Sequence, residues 1–149
     1  MFKDPISIEK MKYKKDKSSA NLAIIGLALN VIYFFTMYKN NNNYYFNLSI
    51  GMSVLYNLVF MLAAFLTSEK LKAYEKAFSY TAIVLGVLQL VRIFNYPLDA
   101  YQATFLAKKS FIICVTCLSL SGISLITAGV CSYIKSTVLH KFLAEEKAK

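Results

Sequence analysis

The sequence FIICVTCLSLSGISLITAGVCSYI, residues 111–134, carries no charged side chain and decides the fold class of this protein. At a rise of about 1.5 Å per residue, a helix of this length covers about 36 Å, more than the roughly 30 Å hydrocarbon core of a bilayer. Three further stretches have the same character, at residues 20–38, 44–67 and 77–95, and Arg92 is their one charged residue. The sequence therefore predicts an all-α integral membrane protein, with four transmembrane helices in an antiparallel bundle.

The hydrophilic remainder consists of short pieces. It comprises a basic N-terminal segment at residues 1–19, the connections between spans, and a C-terminal tail at residues 135–149. Neither end is long enough to form a separate domain, so we expect one four-helix unit over residues 1–149. The tail has an apolar stripe at helical spacing, which predicts a helix that lies on the inner leaflet, docks on a partner or extends the fourth span. The stripe consists of Val138, Leu139, Phe142 and Leu143.

The formal net charge of +9 is distributed unevenly between the two sides of the membrane. Of the 17 lysines and arginines, 13 lie in the N-terminal segment, the connection between spans two and three, or the tail. By the positive-inside rule, both termini should be cytoplasmic, so the charge is a topology signal and no nucleic-acid partner is expected. The first span is full length and is read as retained, not as a cleaved signal. Richness in Lys, Asn, Ile, Tyr and Phe favours a bacterial plasma membrane.

The connection between spans three and four contains Pro97, which should end the third helix. The residues after it allow two predictions, a short helix on the outer surface or one long helix from about Asp99 through Ile134. The short helix rests on apolar residues at helical spacing, namely Leu98, Tyr101 and Phe105.

Small residues recur at intervals of three and four along the fourth span. In lipid, helices associate through close backbone approach and interhelical hydrogen bonds, so this seam predicts a packing face, with the lining of a narrow pathway as the alternative. Gly122 and Gly129 lie outside the seam and predict a second contact surface, which a partner or a second copy could use. The seam consists of Cys114, Cys117, Ser121, Ser124, Ala128 and Cys131.

Cys114 and Cys117 form a CxxC sequence about one turn inside the outer end of the fourth span. Thiols at i and i+3 of a helix can approach disulfide geometry, although small apolar packing is the better interpretation of both residues. A four-helix membrane protein with a CxxC at this place is similar to the vitamin K epoxide reductase family. That resemblance implies thiol-quinone electron transfer by the two cysteines. The chain departs from the family at its first outer turn, residues 39–43, which is short and has no cysteine.

Each span also carries a hydrogen-bonding side chain near the bilayer midplane. Amides in hydrocarbon must find partners. This polar layer therefore predicts an interhelical hydrogen-bond cluster, worth about 0.6 kcal/mol per contact, or a hydrated ligand or ion site. Its members are Asn30, Asn57, Gln89 and Ser124.

Arg92 lies about three residues from the outer end of the third span, where insertion costs less than the ~2.5–3.5 kcal/mol expected at the bilayer centre. We expect its side chain to snorkel towards the headgroups. The alternative is an outer gate or anion-binding mouth formed with Tyr96 and Asp99. A gate of this kind predicts that R92D combined with D99R behaves better than either single change.

Catalytic groups are missing from the spans, which contain no Asp, Glu, Lys or His. General acid-base chemistry and a zinc site are therefore not expected, and neither is a cofactor. We expect a non-catalytic subunit or homo-oligomer in membrane transport, channel or complex assembly, with itself or another membrane subunit as partner. One alternative is the thiol-quinone oxidoreductase, and the other is a self-sufficient oligomeric channel. The channel predicts a shared axis faced by Ser121, Ser124, Asn30 or Asn57.

Overall fold

The computed structural model describes residues 5–39, 48–102 and 106–147, and every regular element in these ranges is helical. Four of the helices in these ranges are long and apolar enough to cross a membrane, as the sequence predicts. The elements are α1 (Pro5–Tyr13), α2 (Lys17–Lys39), α3 (Leu48–Leu71), α4 (Lys76–Val91) with a 3-10 turn (Arg92–Phe94), α5 (Tyr96–Gln102) and α6 (Lys108–Lys147).

The helix α6 is the centre of the packing, because it lies along α2 on one side and α4 on the other. The helix α3 packs on α2 and α4. One apolar cluster takes residues from all four long helices, including Ala23, Phe60, Ala82 and Leu125. Many large apolar side chains remain exposed around this core, as expected where lipid replaces water as the solvent.

Glycines hold α4 and α6 at close range. A Cβ atom at Gly86 would lie 2.7 Å from the carbonyl oxygen of Gly122, and one at Gly129 would lie 2.7 Å from that of Ser79. Real Cβ atoms do not approach backbone this closely, so these positions admit no side chain without movement of a helix. The second contact surface predicted at Gly122 and Gly129 is therefore occupied within the chain, by α4.

The small-residue seam of α6 packs mainly against α2. Ser121 and Ser124 each donate a hydrogen bond of 2.7 Å to a backbone carbonyl of α2, at Gly26 and Leu22 respectively. The predicted seam is wrong at its last member, because Cys131 is exposed while Ser132 is buried. A straight α-helix has 3.6 residues per turn, so a seven-residue seam rotates by about 20° per heptad and leaves the contact face.

The chain reverses sharply between α3 and α4. The helix α3 continues past the predicted end of its span to Leu71, and Tyr74 then adopts a left-handed backbone conformation with φ of 56°. On the other side of the molecule, α5 is a separate short helix, so the prediction of one helix from Asp99 through Ile134 is wrong. Pro97 lies in the first turn of α5, where its missing N–H costs no hydrogen bond.

The helix α6 has 40 residues and is about 60 Å long, so the C-terminal tail extends the fourth span without a break. Around Lys135 of α6, the segment before α2, the turn after α3 and α6 itself meet. Asp16 accepts a hydrogen bond from the Ser19 backbone at the start of α2 and pairs with Lys135 of α6 at 2.7 Å. The Asp16 backbone N–H also donates to the carbonyl of Lys72, which follows α3.

Candidate functional site

The candidate site is a buried polar cluster between α2, α3 and the end of α4. Gln89 lies in the last turn of α4 and Arg92 begins the 3-10 turn that follows it, three residues further on and on the same side. Gln89 Nε2 donates to Asn30 Oδ1 of α2 at 2.5 Å, and Arg92 Nη1 donates to Asn57 Oδ1 of α3 at 2.7 Å. The structure thus brings three of the four residues predicted for the polar layer into one region, together with Arg92.

Arg92 is buried, with 6% of its surface exposed. Its guanidinium carbon lies 4.7 Å from the ring centre of Tyr33 and 4.8 Å from that of Tyr56, within the range of cation-π attraction. The expectation that Arg92 snorkels to the headgroups is therefore wrong. Two aromatic faces and an amide oxygen replace part of the solvation that this cation would gain from water and lipid headgroups.

Asn57 connects the cluster to the neighbouring end of α2. Its Nδ2 donates to the backbone carbonyl of Ser53 at 2.9 Å and lies 3.4 Å from the hydroxyl oxygen of Tyr38. The Tyr38 hydroxyl in turn donates to Ser53 Oγ at 2.7 Å. The Asn57 amide oxygen accepts a hydrogen bond from Arg92, and its nitrogen contacts Tyr38 of α2. This one side chain therefore fixes α3 relative to α2 and the end of α4.

Three buried polar atoms of the cluster lack a hydrogen-bond partner among the described residues. They are Asn30 Nδ2, Gln89 Oε1 and Arg92 Nη2. A buried polar atom that makes no hydrogen bond is costly in hydrocarbon, where water does not compensate. The cluster therefore offers two donors and one acceptor that a water molecule or a polar ligand could satisfy.

Arg92 also has no carboxylate partner in the described part of the chain, where every ion pair uses a lysine. A buried cation without a counter-charge is unfavourable in a medium of low dielectric constant. The cluster can consequently attract an anionic group or a strong dipole.

Ser124, the fourth residue predicted for the polar layer, lies elsewhere. It is bonded to the carbonyl of Leu22, about two turns from Asn30 along α2. The serine hydroxyl is thus satisfied by a backbone carbonyl of the neighbouring helix, in the manner of interhelical hydrogen bonds in membranes. The sequence prediction leaves Arg92 outside the layer, although its spacing of three residues from Gln89 indicates a shared face.

The outer gate predicted for Arg92, Tyr96 and Asp99 includes two side chains that lie outside the described part of the chain. Tyr96 and Asp99 belong to α5, which follows the 3-10 turn that carries Arg92, but their side chains lie outside the described ones. A groove of about 290 Å³ does lie between α3 and α4 at this end of the molecule. It is lined by Ser53, Tyr56, Leu88, Val91, Arg92 and Asn95.

The two cysteines of the CxxC sequence face the interior. Cys114 is fully buried and Cys117 is 8% exposed, and both are free thiols in an apolar cluster with Tyr33, Met37 and Leu118. Such surroundings favour packing over redox exchange, because an attacking thiolate needs access and a stabilised charge. Within the described ranges, no group of three His, Cys, Asp or Glu side chains could hold a metal ion.

Comparisons with protein-family models, with characterised proteins and with solved structures find no match for this chain.

Proposed function

We propose that this protein is a non-catalytic membrane protein that works as a homo-oligomer or as a subunit of a membrane assembly, with a role in transport, channel formation or complex assembly. One observation carries this proposal, namely an exposed apolar stripe on the side of α3 that faces away from the other helices. Five large apolar residues there recur at alternating intervals of three and four and are 52–60% exposed. They are Met52, Leu55, Val59, Leu62 and Leu66.

This spacing is the heptad pattern of a helix that packs along another helix. Within the chain, α4 and α6 use their glycines on each other, and α3 contacts α2 and α4 through its opposite face. An apolar heptad seam can pack against the same seam of a second copy related by a two-fold axis. A second copy of the chain is therefore the partner we propose for α3.

We further propose that the four long helices form an antiparallel bundle in a bacterial plasma membrane, with both termini in the cytoplasm. The contacts of Asp16 with Lys72 and Lys135 support this topology, because they join the start of α2, the α3–α4 turn and the tail. These same segments carry 13 of the 17 lysines and arginines. The positive-inside rule places such segments in the cytoplasm.

Neither alternative function gains support from the contacts. Of the four residues predicted to face the axis of an oligomeric channel, Asn30, Asn57 and Ser121 are fully buried within one chain, and Ser124 is bonded to α2. Their contacts within one chain support a structural role for these residues over a position on an axis shared between copies. For the oxidoreductase, the buried position of Cys114 and Cys117 gives a quinone no direct path to either thiol.

The oligomer is tested by native mass spectrometry in mild detergent, followed by cross-linking. In a background without Cys114, Cys117 and Cys131, we expect V59C to form a disulfide-linked dimer on oxidation. The matched control is L58C, which lies on the same helix, has 51% exposure and falls outside the seam. A strictly monomeric mass that brings no other membrane protein with it, together with equal cross-linking of both variants, would contradict the proposal.

A further inference from the structure

The groove between α3 and α4 has a buried cation, Arg92, in its wall. Leu88, Val91 and Tyr56 give it apolar sides, while Ser53, Arg92 and Asn95 add polar groups. Leu88 and Val91 are 45% and 52% exposed, so the groove is open to the surrounding lipid. An acyl chain can therefore lie against its sides.

The surroundings of Arg92 indicate which kind of chemical group would bind at the polar end of the groove. Asn57 and the two tyrosine rings supply dipoles and π-electrons, but no described carboxylate supplies a negative charge. The Nη2 atom of Arg92 is also left without a hydrogen-bond partner in the described part of the chain. A planar guanidinium with a buried, unpartnered nitrogen favours phosphate and carboxylate oxygens as partners.

We propose that this groove binds one anionic lipid, with its headgroup at Arg92 and Asn95 and the start of its acyl chain against Tyr56, Leu88 and Val91. The anionic headgroup neutralises the cation, and the acyl chain covers the apolar sides. The leaflet rests on the topology proposed above: with both termini in the cytoplasm, Arg92 follows the outer end of α4, so the lipid belongs to the outer leaflet. The site lies beside the proposed dimer seam of α3 and does not depend on it.

The test measures lipid binding to the purified protein by native mass spectrometry with a phosphatidylglycerol and with a phosphatidylcholine of identical acyl chains. We expect the first to bind with an affinity about tenfold higher, because a charge-assisted hydrogen bond in a protected site has about that effect. Equal affinity for the two lipids would overturn the proposal. Displacement of the lipid by millimolar inorganic phosphate would also overturn it, since the site would then take a free anion.

Two variants distinguish a specific loss of lipid binding in the groove from a general loss of fold stability. L88W fills the groove at an exposed position and leaves the bond between Arg92 and Asn57 in place, and we expect it to abolish the preference for the anionic lipid. I123W is the matched control, because Ile123 is 52% exposed on α6 and does not line the groove. Retention of the full preference in L88W, or its equal loss in I123W, would contradict binding in this groove.

Discussion

Arg92 Nη1 donates a hydrogen bond of 2.7 Å to Asn57 Oδ1, which joins the end of α4 to the interior face of α3. The helix α6 is held to α4 by close contacts at Gly86 and Gly122. The helix α3 has fewer such contacts, and Asn57 supplies polar bonds to both of its neighbours. The polar cluster therefore supplies hydrogen bonds from α3 to both α2 and the end of α4.

The close approach of α4 and α6 gives a first prediction. We expect G86A to lower the free energy of unfolding by about 1–3 kcal/mol, because its Cβ would lie 2.7 Å from the Gly122 carbonyl oxygen and must force the helices apart. The control is G51A, since nothing lies within 4 Å of a Cβ there. That variant should be neutral or more stable by up to about 1 kcal/mol, through helix propensity. Unfolding in mixed detergent micelles measures both, and equal effects would contradict the packing.

Asp16 gives a second prediction at the other end of the helices. Its carboxylate accepts hydrogen bonds from the backbone and side chain of Ser19 and also pairs with Lys135. We expect D16A to lower the free energy of unfolding by about 1–2 kcal/mol, because it removes the cap of α2 as well as the ion pair. D16N keeps oxygen and removes only the charge, so it should cost less. Equal losses in the two variants would show that the cap contributes nothing.

The buried thiols give a third prediction, which separates packing from redox chemistry. Cys114 and Cys117 should react with a membrane-permeant maleimide only after the protein is unfolded, because both are buried. The double variant C114A/C117A should retain its oligomeric state and its function in the cell, with a modest loss of stability from the lost contacts. Rapid labelling in the folded protein together with loss of function in the double variant would support a redox role instead.

The membrane topology gives a fourth prediction. Green fluorescent protein fused to either terminus should fluoresce, because this reporter folds in the cytoplasm. It does not fold correctly when it is exported across the membrane as an unfolded chain. Alkaline phosphatase at the same positions should be inactive. As the control, phosphatase inserted after Lys108, on the opposite side, should be active. Active phosphatase at one terminus alone would mean an odd number of spans.

The length of the apolar stretches and the position of Pro97 were sufficient to predict the long helices and the break before α5. These features follow from local chemistry, since a bilayer demands a fixed length and proline ends a helix. The faces of the helices were harder to predict. Cys131 fits a heptad spacing but lies on the exposed side, because an α-helix does not keep a period of 3.5 residues over several turns.

The position of the Arg92 side chain could not be predicted from its own helix. Snorkelling is favourable for an isolated arginine near a membrane edge. In the folded protein, Tyr33 and Tyr56 present their rings and Asn57 its oxygen, and these residues come from two other helices. Only the tertiary arrangement reveals that they converge on one point. Ser124 illustrates the opposite case, since a nearby carbonyl of α2 satisfies it and withdraws it from the polar layer.

The double-mutant cycle between Arg92 and Asn57 tests the central claim most directly. The variants R92M, N57L and the double variant are compared with the natural protein by their free energies of unfolding in the same detergent. We predict a coupling of about 1–2 kcal/mol, with the double variant less destabilised than the sum of the single variants, because each single change leaves one buried group without its partner. Additive effects of the two substitutions would show that the two side chains do not interact, and would contradict the polar cluster that joins α3 to the end of α4.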